Sequence, residues 1–256
     1  MYAEIAEGFQ TFLLVTGRVG GVMLGLPMLA GRYLPLIWRV GLVLILAGLI
    51  TMVLGPTEFE AREEVLLWNL AFEVLAGALM GLFILLVFAA IQVAGQLIDV
   101  QMGFGIVNVV DPHWEQPVPL IGGFLHLFAI LLFILAEGHH QVFRALAWSF
   151  SVVPPGLATI GDSAVWGLME LAGWMFASAV RLALPVVGAL FLVNLAMGVL
   201  GRTMPQMNIL VVGLPLKILV GFALLAAVIP FYGPAIIRMF DWVLGLIPGL
   251  WEVLGP

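Results

Sequence analysis

Five charged residues interrupt otherwise apolar stretches of this sequence, and they are its first candidates for chemistry. A charge in the middle of a membrane is costly, so it normally faces a partner or a water-filled space. Such a charge can line a transport path or form an ion pair between subunits. We expect buried pairing for Arg18, Arg181 and Lys217, which lie deep in their apolar runs. Glu73 and Glu170 lie near predicted helix starts, so we expect their side chains to extend to a membrane surface.

A second group of polar residues follows one predicted helix. Gln92, Gln96 and Asp99 are spaced by four and three residues, which places them on one helix face. This stripe leads into an apolar, glycine-bearing segment, residues 101–112. An apolar loop beside a polar helix face suits a channel constriction, because hydrophobic rings can gate by excluding water. An ordinary re-entrant or interfacial loop is the alternative.

Residue sets typical of enzymes are poorly represented. Glu137 and His140 form a single Glu-x-x-His pair, whereas a di-iron bundle needs two such pairs and further glutamates. The sequence has no cysteine, no His-Glu-x-x-His or Gly-x-Ser-x-Gly motif, and no glycine-rich phosphate loop ending in Lys-Ser or Lys-Thr. We therefore predict a protein that is not an enzyme and that holds no metal or cofactor.

The composition indicates a membrane protein. Of 256 residues, 63% are hydrophobic and only 9% are charged. So few polar residues cannot cover a water-facing surface, so lipid, other apolar protein, or both must cover the chain. The net charge of -6 and the single lysine exclude a basic surface for nucleic acid.

The elements that must position these residues are predicted to be about six apolar helices in a single domain, residues 1–256. Crossing a bilayer takes about 20 apolar residues. The third run is too long for one straight crossing, and the last three, interrupted by proline or glycine, are predicted to be kinked or broken. The runs are 9–30, 40–54, 65–98, 123–136 with a possible continuation to 150, 164–200 and 209–246, with a solvated turn at 55–64 and a break at 153–156.

Two further patterns concern how these helices pack. With six conventional crossings, three loop arginines fall on each side of the membrane, against the usual positive-inside bias. Either the span count is wrong, or the helices are hairpins packed against partner proteins and do not all cross a bilayer. Glycines at four-residue spacing also let helix backbones approach closely, within the chain or between subunits; they are Gly17, Gly21 and Gly25, and Gly77 and Gly81.

One segment is distinctive enough to indicate a family. Residues 201–209 read Gly-Arg-Thr-Met-Pro-Gln-Met-Asn-Ile, and they closely resemble the Pro-Gln-x-Asn signature of the FliR family, the R subunits of the flagellar type III export gate. In this chain the signature residues are Pro205, Gln206 and Asn208. The segment 101–112 resembles the central loop of the same family, at the expected place. Length, element order and the acidic turn also fit.

The resemblance implies a fold of kinked, tilted helical hairpins, largely held above the bilayer plane of the bacterial inner membrane at the centre of the flagellar basal body. It implies assembly with P and Q subunits into a pore for unfolded, secreted flagellar proteins. Further implied partners are the FlhB-type export switch protein, the basal-body ring and membrane lipid.

The resemblance also implies that the central loop is a pore plug. Its apolar centre would be Ile106 and Val109, where relatives often carry aromatic residues. The plug residues carried over in this way are Met102, Gly103, Phe104, Gly105, Ile106, Val109, Asp111 and Pro112.

Two alternatives remain at this point. The homologous injectisome subunits share the pattern, although the sequence Gly-Arg-Thr-x-Pro-Gln-Met-Asn favours the flagellar system. A small-molecule transporter or uptake-system subunit would use Arg181, Lys217 and Glu73 to bind substrate. Such a transporter should be stable alone or as a homodimer, whereas an export-gate subunit should co-purify with different small membrane proteins.

Overall fold

The computed structural model describes residues 2–30, 35–55, 63–104, 119–204, 206 and 209–255. Within these ranges the regular elements are α-helices, and there is no strand. The prediction of an all-α fold is confirmed. The helices are α1 (Tyr2–Leu24), α2 (Pro27–Ala30), α3 (Leu36–Leu54), α4 (Glu63–Met102), α5 (Leu120–Leu135), α6 (Gly138–Val152), α7 (Asp162–Thr203) and α8 (Ile209–Leu254).

Four of these helices are long and apolar enough to cross a membrane. They are α3, the part of α4 from Val65 to Met102, α7, and the part of α8 from Val211 to Leu254. A fifth candidate is the pair of α5 and α6, which are bent by 64° at a short break. Glu137 occupies the break in the left-handed conformation, with a φ of 55°. The fourth predicted run is therefore two helices, and its predicted kink is confirmed.

The two longest helices are not interrupted at proline. α7 and α8 each continue through their prolines, so these runs are not broken there, and the kink that was the other form of the expectation stays a prediction. Each proline removes one backbone hydrogen bond, but the flanking turns keep theirs. Pro185, Pro215, Pro230 and Pro234 are all exposed.

The chain forms two compact units. Unit 1 comprises Met1–Val87, Phe133–Ala172 and Phe240–Pro256, and unit 2 comprises Phe88–Leu132 and Gly173–Met239. Each unit is assembled from segments that are distant in the sequence. The predicted acidic turn falls in unit 1, where Gly55, with a φ of 74°, follows α3 and Glu63 begins α4. Residues 56–62 lie outside the described part of the chain.

In unit 1, α1 and α4 pack through their glycines. A Cβ added at Gly21 would lie 2.6 Å from the backbone nitrogen of Ala78, and one at Gly25 would overlap the backbone of Gly81. A Cβ at Gly77 would overlap the carbonyl of Arg18. These contacts within the chain account for both glycine patterns, because only hydrogen at these positions lets the two backbones come so close.

α3 is the helix of unit 1 with the most uniform exposure. Its one buried residue is Ala47. Large apolar side chains are exposed from its first turn to its last, for example Leu36, Trp38, Met52 and Val53. At 19 residues its length is about 28 Å, close to the thickness of a bilayer core.

Unit 2 contains the end of α4, most of α5, and long parts of α7 and α8. A Cβ at Gly95 would overlap the backbone of Gly122, so α4 and α5 cross in close contact. The hydroxyl of Tyr232 on α8 donates to the carbonyl of Leu182 on α7 at 2.7 Å. This bond joins α7 and α8 near the middle of each helix.

Candidate functional site

The most deeply buried charges of the described chain form one ion pair in unit 1. Arg18 on α1 donates from Nε to Oε2 of Glu73 at 2.6 Å and from Nη2 to Oε1 at 2.9 Å. Both side chains are 0% exposed. The small faces of the two helices make this possible, because Gly17 and Gly77 leave no side chain between α1 and α4 at this level.

The remaining polar atoms of the pair are satisfied by other segments of unit 1. Nη1 of Arg18 donates to the hydroxyl of Ser149 at 3.1 Å, and that hydroxyl donates to the carbonyl of Leu146 at 2.7 Å. The backbone N–H of Gly156 donates to Oε1 of Glu73 at 2.8 Å. Gly156 has a φ of 89°, a conformation that favours glycine. The pair thereby holds α6 and the loop after it against α1 and α4.

Two aromatic rings flank the guanidinium of Arg18. Its Cζ lies 4.2 Å from the ring centre of Phe150 and 4.6 Å from that of Trp251. Rings at this distance attract a cation and keep water away from it. Trp251 is itself completely buried, and its indole nitrogen has no hydrogen-bond partner in the described ranges. The end of α8 is therefore part of the same cluster.

The cluster corrects the expectation for Glu73 and shows where the partner of Arg18 lies. The expectation that Glu73 extends to a membrane surface is wrong, because close packing of α1 and α4 brings Arg18 within reach of it. Arg18 has its counter-charge within this chain and needs no second subunit to neutralise it. Ser149, Phe150, Gly156 and Trp251 were not identified from the sequence. For Gly156 a signal existed, since it lies in the break predicted at 153–156.

The three residues of the polar stripe on α4 differ in burial and in role. Asp99 is nearly buried, and its carboxylate accepts hydrogen bonds from the backbone N–H groups of Ile121 at 2.9 Å and Gly122 at 3.0 Å. Asp99 thus caps the N-terminus of α5, where unpaired N–H groups and the helix dipole favour a negative charge. Gln92 is half-buried and Gln96 is exposed. The three residues do not form one continuous polar surface.

The first residues of the predicted plug are anchored in unit 2. Met102 is completely buried and contacts Gly221 of α8, where an added Cβ would lie 2.7 Å from the methyl carbon of Met102. Phe104 meets Phe222 edge to face, with ring centres 6.3 Å apart. Gly103, with a φ of 92°, follows the last residue of α4. The other predicted plug residues, Gly105, Ile106, Val109, Asp111 and Pro112, lie outside the described residues.

The other charged candidates are placed differently. Arg181 and Glu170 are exposed on α7, and Lys217 on α8 is half-buried. Arg181 is therefore not in a buried pair within the described chain, and its pairing with another subunit stays a prediction. Glu170 is exposed, and its place at a membrane surface stays a prediction.

Two further sequence features lie close to helix ends. Gln206 of the family signature is exposed in the turn before α8, whereas Pro205 and Asn208 lie outside the described residues. Glu137 and His140 are 3.7 Å apart at the bend between α5 and α6. No group of three or more metal-binding side chains is found in the ranges that the structure describes.

Comparison with known proteins decides the family. The family of bacterial export proteins, family 1, matches residues 9–243. The chain belongs to this family. It is 37% identical to the flagellar biosynthetic protein FliR of Bacillus subtilis (strain 168), over 87% of each chain. It is 30% identical to FliR of Escherichia coli (strain K12), over 90% of this chain and 88% of the other. A third FliR, from Pectobacterium carotovorum subsp. carotovorum, is 36% identical over 70% and 69%.

Membership of the FliR family confirms the resemblance found in the sequence. It makes this chain a transmembrane component of bacterial flagellar protein export. The apolar helices described above agree with that placement.

Proposed function

We propose that this chain is a non-enzymatic subunit of the flagellar type III export gate. With P and Q subunits it forms the channel through which unfolded flagellar proteins leave the cell. The observation that carries this proposal is the length of exposed apolar surface along α7, because lipid alone cannot cover it.

Exposed apolar side chains follow α7 over almost its whole length. Val165 and Trp166 lie near its start, Phe176 in its first half, and Val199 and Leu200 near its end. From Val165 to Leu200 the helix extends about 54 Å at 1.5 Å per residue. A bilayer core is about 30 Å thick, and even at a strong tilt of about 40° it covers only about 39 Å of a helix. Protein must therefore cover a large part of this surface.

α3 supports the part of the proposal that places the chain in a membrane. It has the length of a single crossing, and it exposes large apolar side chains from its first turn to its last. Membrane lipid is the natural environment of such a helix. We place the chain in the bacterial inner membrane at the centre of the flagellar basal body, with α3 in contact with lipid and the longer helices in contact with other subunits.

The plug is part of the same proposal. We assign residues 102–112 as the segment that closes the pore before secretion, with Ile106 and Val109 as its apolar centre. The burial of Met102 on Gly221 and the contact of Phe104 with Phe222 support a firmly held starting point for this segment. The FlhB-type switch protein, the basal-body ring and the secreted flagellar proteins complete the proposed partners.

The small-molecule transporter has less support. That alternative used Glu73 as a substrate-binding residue, together with Arg181 and Lys217. Both carboxylate oxygens of Glu73 are already bound by protein donors, and its side chain is completely buried. A substrate could reach Glu73 only if the core of unit 1 opened.

Native mass spectrometry of the full chain co-expressed with the P and Q subunits of its organism tests the proposal. The expected result is a hetero-oligomer that contains this chain, with little free chain. The matched control is the chain expressed alone, which should aggregate or stay bound to excess detergent because its apolar surface is uncovered. A well-behaved monomer or homodimer that ignores P and Q would overturn the proposal.

A further inference from the structure

Arg181 is a single exposed charge on an apolar helix face in unit 2. The Arg181 face is defined here by Ala177, Arg181, Leu184, Gly188, Leu192, Leu195 and Val199 of α7, spaced by three or four residues along one side of the helix. These side chains are exposed or half-exposed, and the opposite side of α7, with Ala179, Ala183, Val186 and Leu190, is buried.

We propose that the Arg181 face binds a helix of a different subunit that places an aspartate or glutamate opposite Arg181. The proposal rests on the proposed function, since it names the partner chemistry that one face of this subunit requires. It adds a residue that decides where along α7 the partner sits.

Charge is the first argument. The guanidinium of Arg181 has no hydrogen-bond or ion-pair partner among the residues that the structure describes, although apolar side chains surround it on the exposed side. Guanidinium groups in apolar surroundings pair with carboxylates, often through two parallel hydrogen bonds. Within this chain the comparison is direct, because Arg18 is equally deep in an apolar run and has such a partner in Glu73.

The backbone beside Arg181 adds a second polar group. Pro185 lies four residues further along α7 and has no N–H, so the carbonyl of Arg181 lacks its usual helical donor. Tyr232 binds the neighbouring carbonyl of Leu182 from the packed side of the helix. Pro185 itself is exposed, so the missing donor lies on the open side of the helix. In membranes, neighbouring helices satisfy such carbonyls with polar side chains.

The extent of the apolar surface favours protein over lipid. Exposed apolar side chains continue on both sides of Arg181, through Val180 and Phe176 in one direction and through Leu184 and Leu192 in the other. A bilayer boundary at Arg181 would let a lipid phosphate bind it, but it would leave the apolar surface on one side in water. A partner helix with one carboxylate covers both sides and neutralises the charge.

Gly188 would allow a partner helix to pack closely on the Arg181 face. A Cβ added there would meet nothing within 4 Å, so the glycine does not serve packing inside the chain. A glycine at a helix surface lets the backbone of another helix approach closely, which is how helices associate in lipid. The site therefore has room for a helix about two turns away from the charge.

The first experiment compares variants of the full chain co-expressed with P and Q subunits. Arg181→Glu should lower the ratio of assembled to free chain by at least about tenfold, because two carboxylates would then face each other. Arg181→Lys keeps the charge and should stay within about threefold of the unchanged chain. Arg238→Glu makes the same change in net charge at another exposed position of unit 2 and is the matched control.

The second experiment identifies what covers the face in the unchanged complex. A photo-crosslinking amino acid at Leu184 should form an adduct with a peptide of another subunit that carries an aspartate or glutamate. An adduct with lipid alone, or with a peptide that lacks an acidic residue, would overturn the inference. Normal assembly of Arg181→Glu, or an equal loss with Arg238→Glu, would also overturn it.

The two proposals fail separately. If the unchanged chain does not assemble with P and Q, the proposed function is wrong. If the unchanged chain assembles and Arg181→Glu assembles equally well, only the inference about Arg181 is wrong. Because Arg181 is exposed, the variant chain alone should keep the helix content of the unchanged chain, and circular dichroism checks this.

Discussion

The guanidinium of Arg18 and the carboxylate of Glu73 bind each other at two points, 2.6 and 2.9 Å, where neither side chain is exposed. They are 55 residues apart in the chain, and their hydrogen bonds are completed by the hydroxyl of Ser149 on α6, which accepts from Arg18, and by the N–H of Gly156, which donates to Glu73. A buried pair of this kind stabilises a fold only when every member is present, because removal of one partner leaves an unpaired charge in the core.

The first prediction concerns Glu73→Gln. It should lower the free energy of unfolding by about 3–5 kcal/mol, because Arg18 would keep a buried charge without a counter-charge. Thermal unfolding in detergent, followed by circular dichroism, measures the loss. Glu170→Gln removes the same charge at an exposed position and is the control. The double variant Arg18→Met with Glu73→Leu should be less destabilised than Glu73→Gln alone, and a larger loss in the double variant would contradict this account.

The second prediction concerns the crossing of α1 and α4. Gly21→Ala should lower the free energy of unfolding by about 1–3 kcal/mol, because the added methyl would press on backbone atoms that cannot move aside. Gly48→Ala on α3 is the matched control, since an added Cβ there meets nothing within 4 Å. That control should be neutral or slightly stabilising, because alanine favours a helix. Equal melting curves for the two variants would refute the packing role of Gly21.

The third prediction concerns the cap of α5. Asp99→Ala should cost about 1 kcal/mol and should speed amide hydrogen exchange at the start of α5. The effect should concentrate at Ile121 and Gly122, whose N–H groups the carboxylate binds. Gln96→Ala, one turn earlier on α4, should leave this exchange unchanged. Uniform faster exchange over the whole chain would show that Asp99 acts on general stability and not as a cap.

The fourth prediction follows from the proposed plug. Glycine at both Ile106 and Val109 should let the reconstituted complex with P and Q leak ions, because the apolar centre of the seal would be removed. Assembly should be unaffected, and native mass spectrometry checks this. Val100→Gly changes an exposed position of α4 before the loop and should not alter conductance. A complex whose conductance matches the unchanged one despite both glycines would count against the plug.

Much of the fold was accessible from local pattern. Long apolar runs predicted the helices, and the glycine and proline cluster at 153–156 predicted the break between α6 and α7. The effect of proline could not be decided from the local rule alone. α7 and α8 continue through their prolines, because the hydrogen bonds of the flanking turns outweigh the one bond that each proline removes.

For the candidate residues too, the sequence predicted some features and only the structure showed others. Their types and depth in apolar runs predicted that Arg18, Arg181 and Lys217 need partners, because charge in apolar surroundings is costly. The same reasoning did not identify Glu73, which was expected at a membrane surface. The sequence alone did not show which group each of these charges contacts. Asp99 caps α5, a role that the sequence did not indicate, since the crossing at Gly95 and Gly122 brings that helix end to it. Its place beside a channel constriction stays a prediction.

By itself the sequence determined the helical architecture, the membrane environment and the family, because hydropathy and a short signature are properties of neighbouring residues. Only the tertiary structure decided which charge is neutralised within the chain. Arg18 and Arg181 have the same chemistry and similar apolar flanks, yet α4 covers the first and no described helix covers the second. Burial depends on which surfaces meet, and that follows from the packing of segments far apart in the chain.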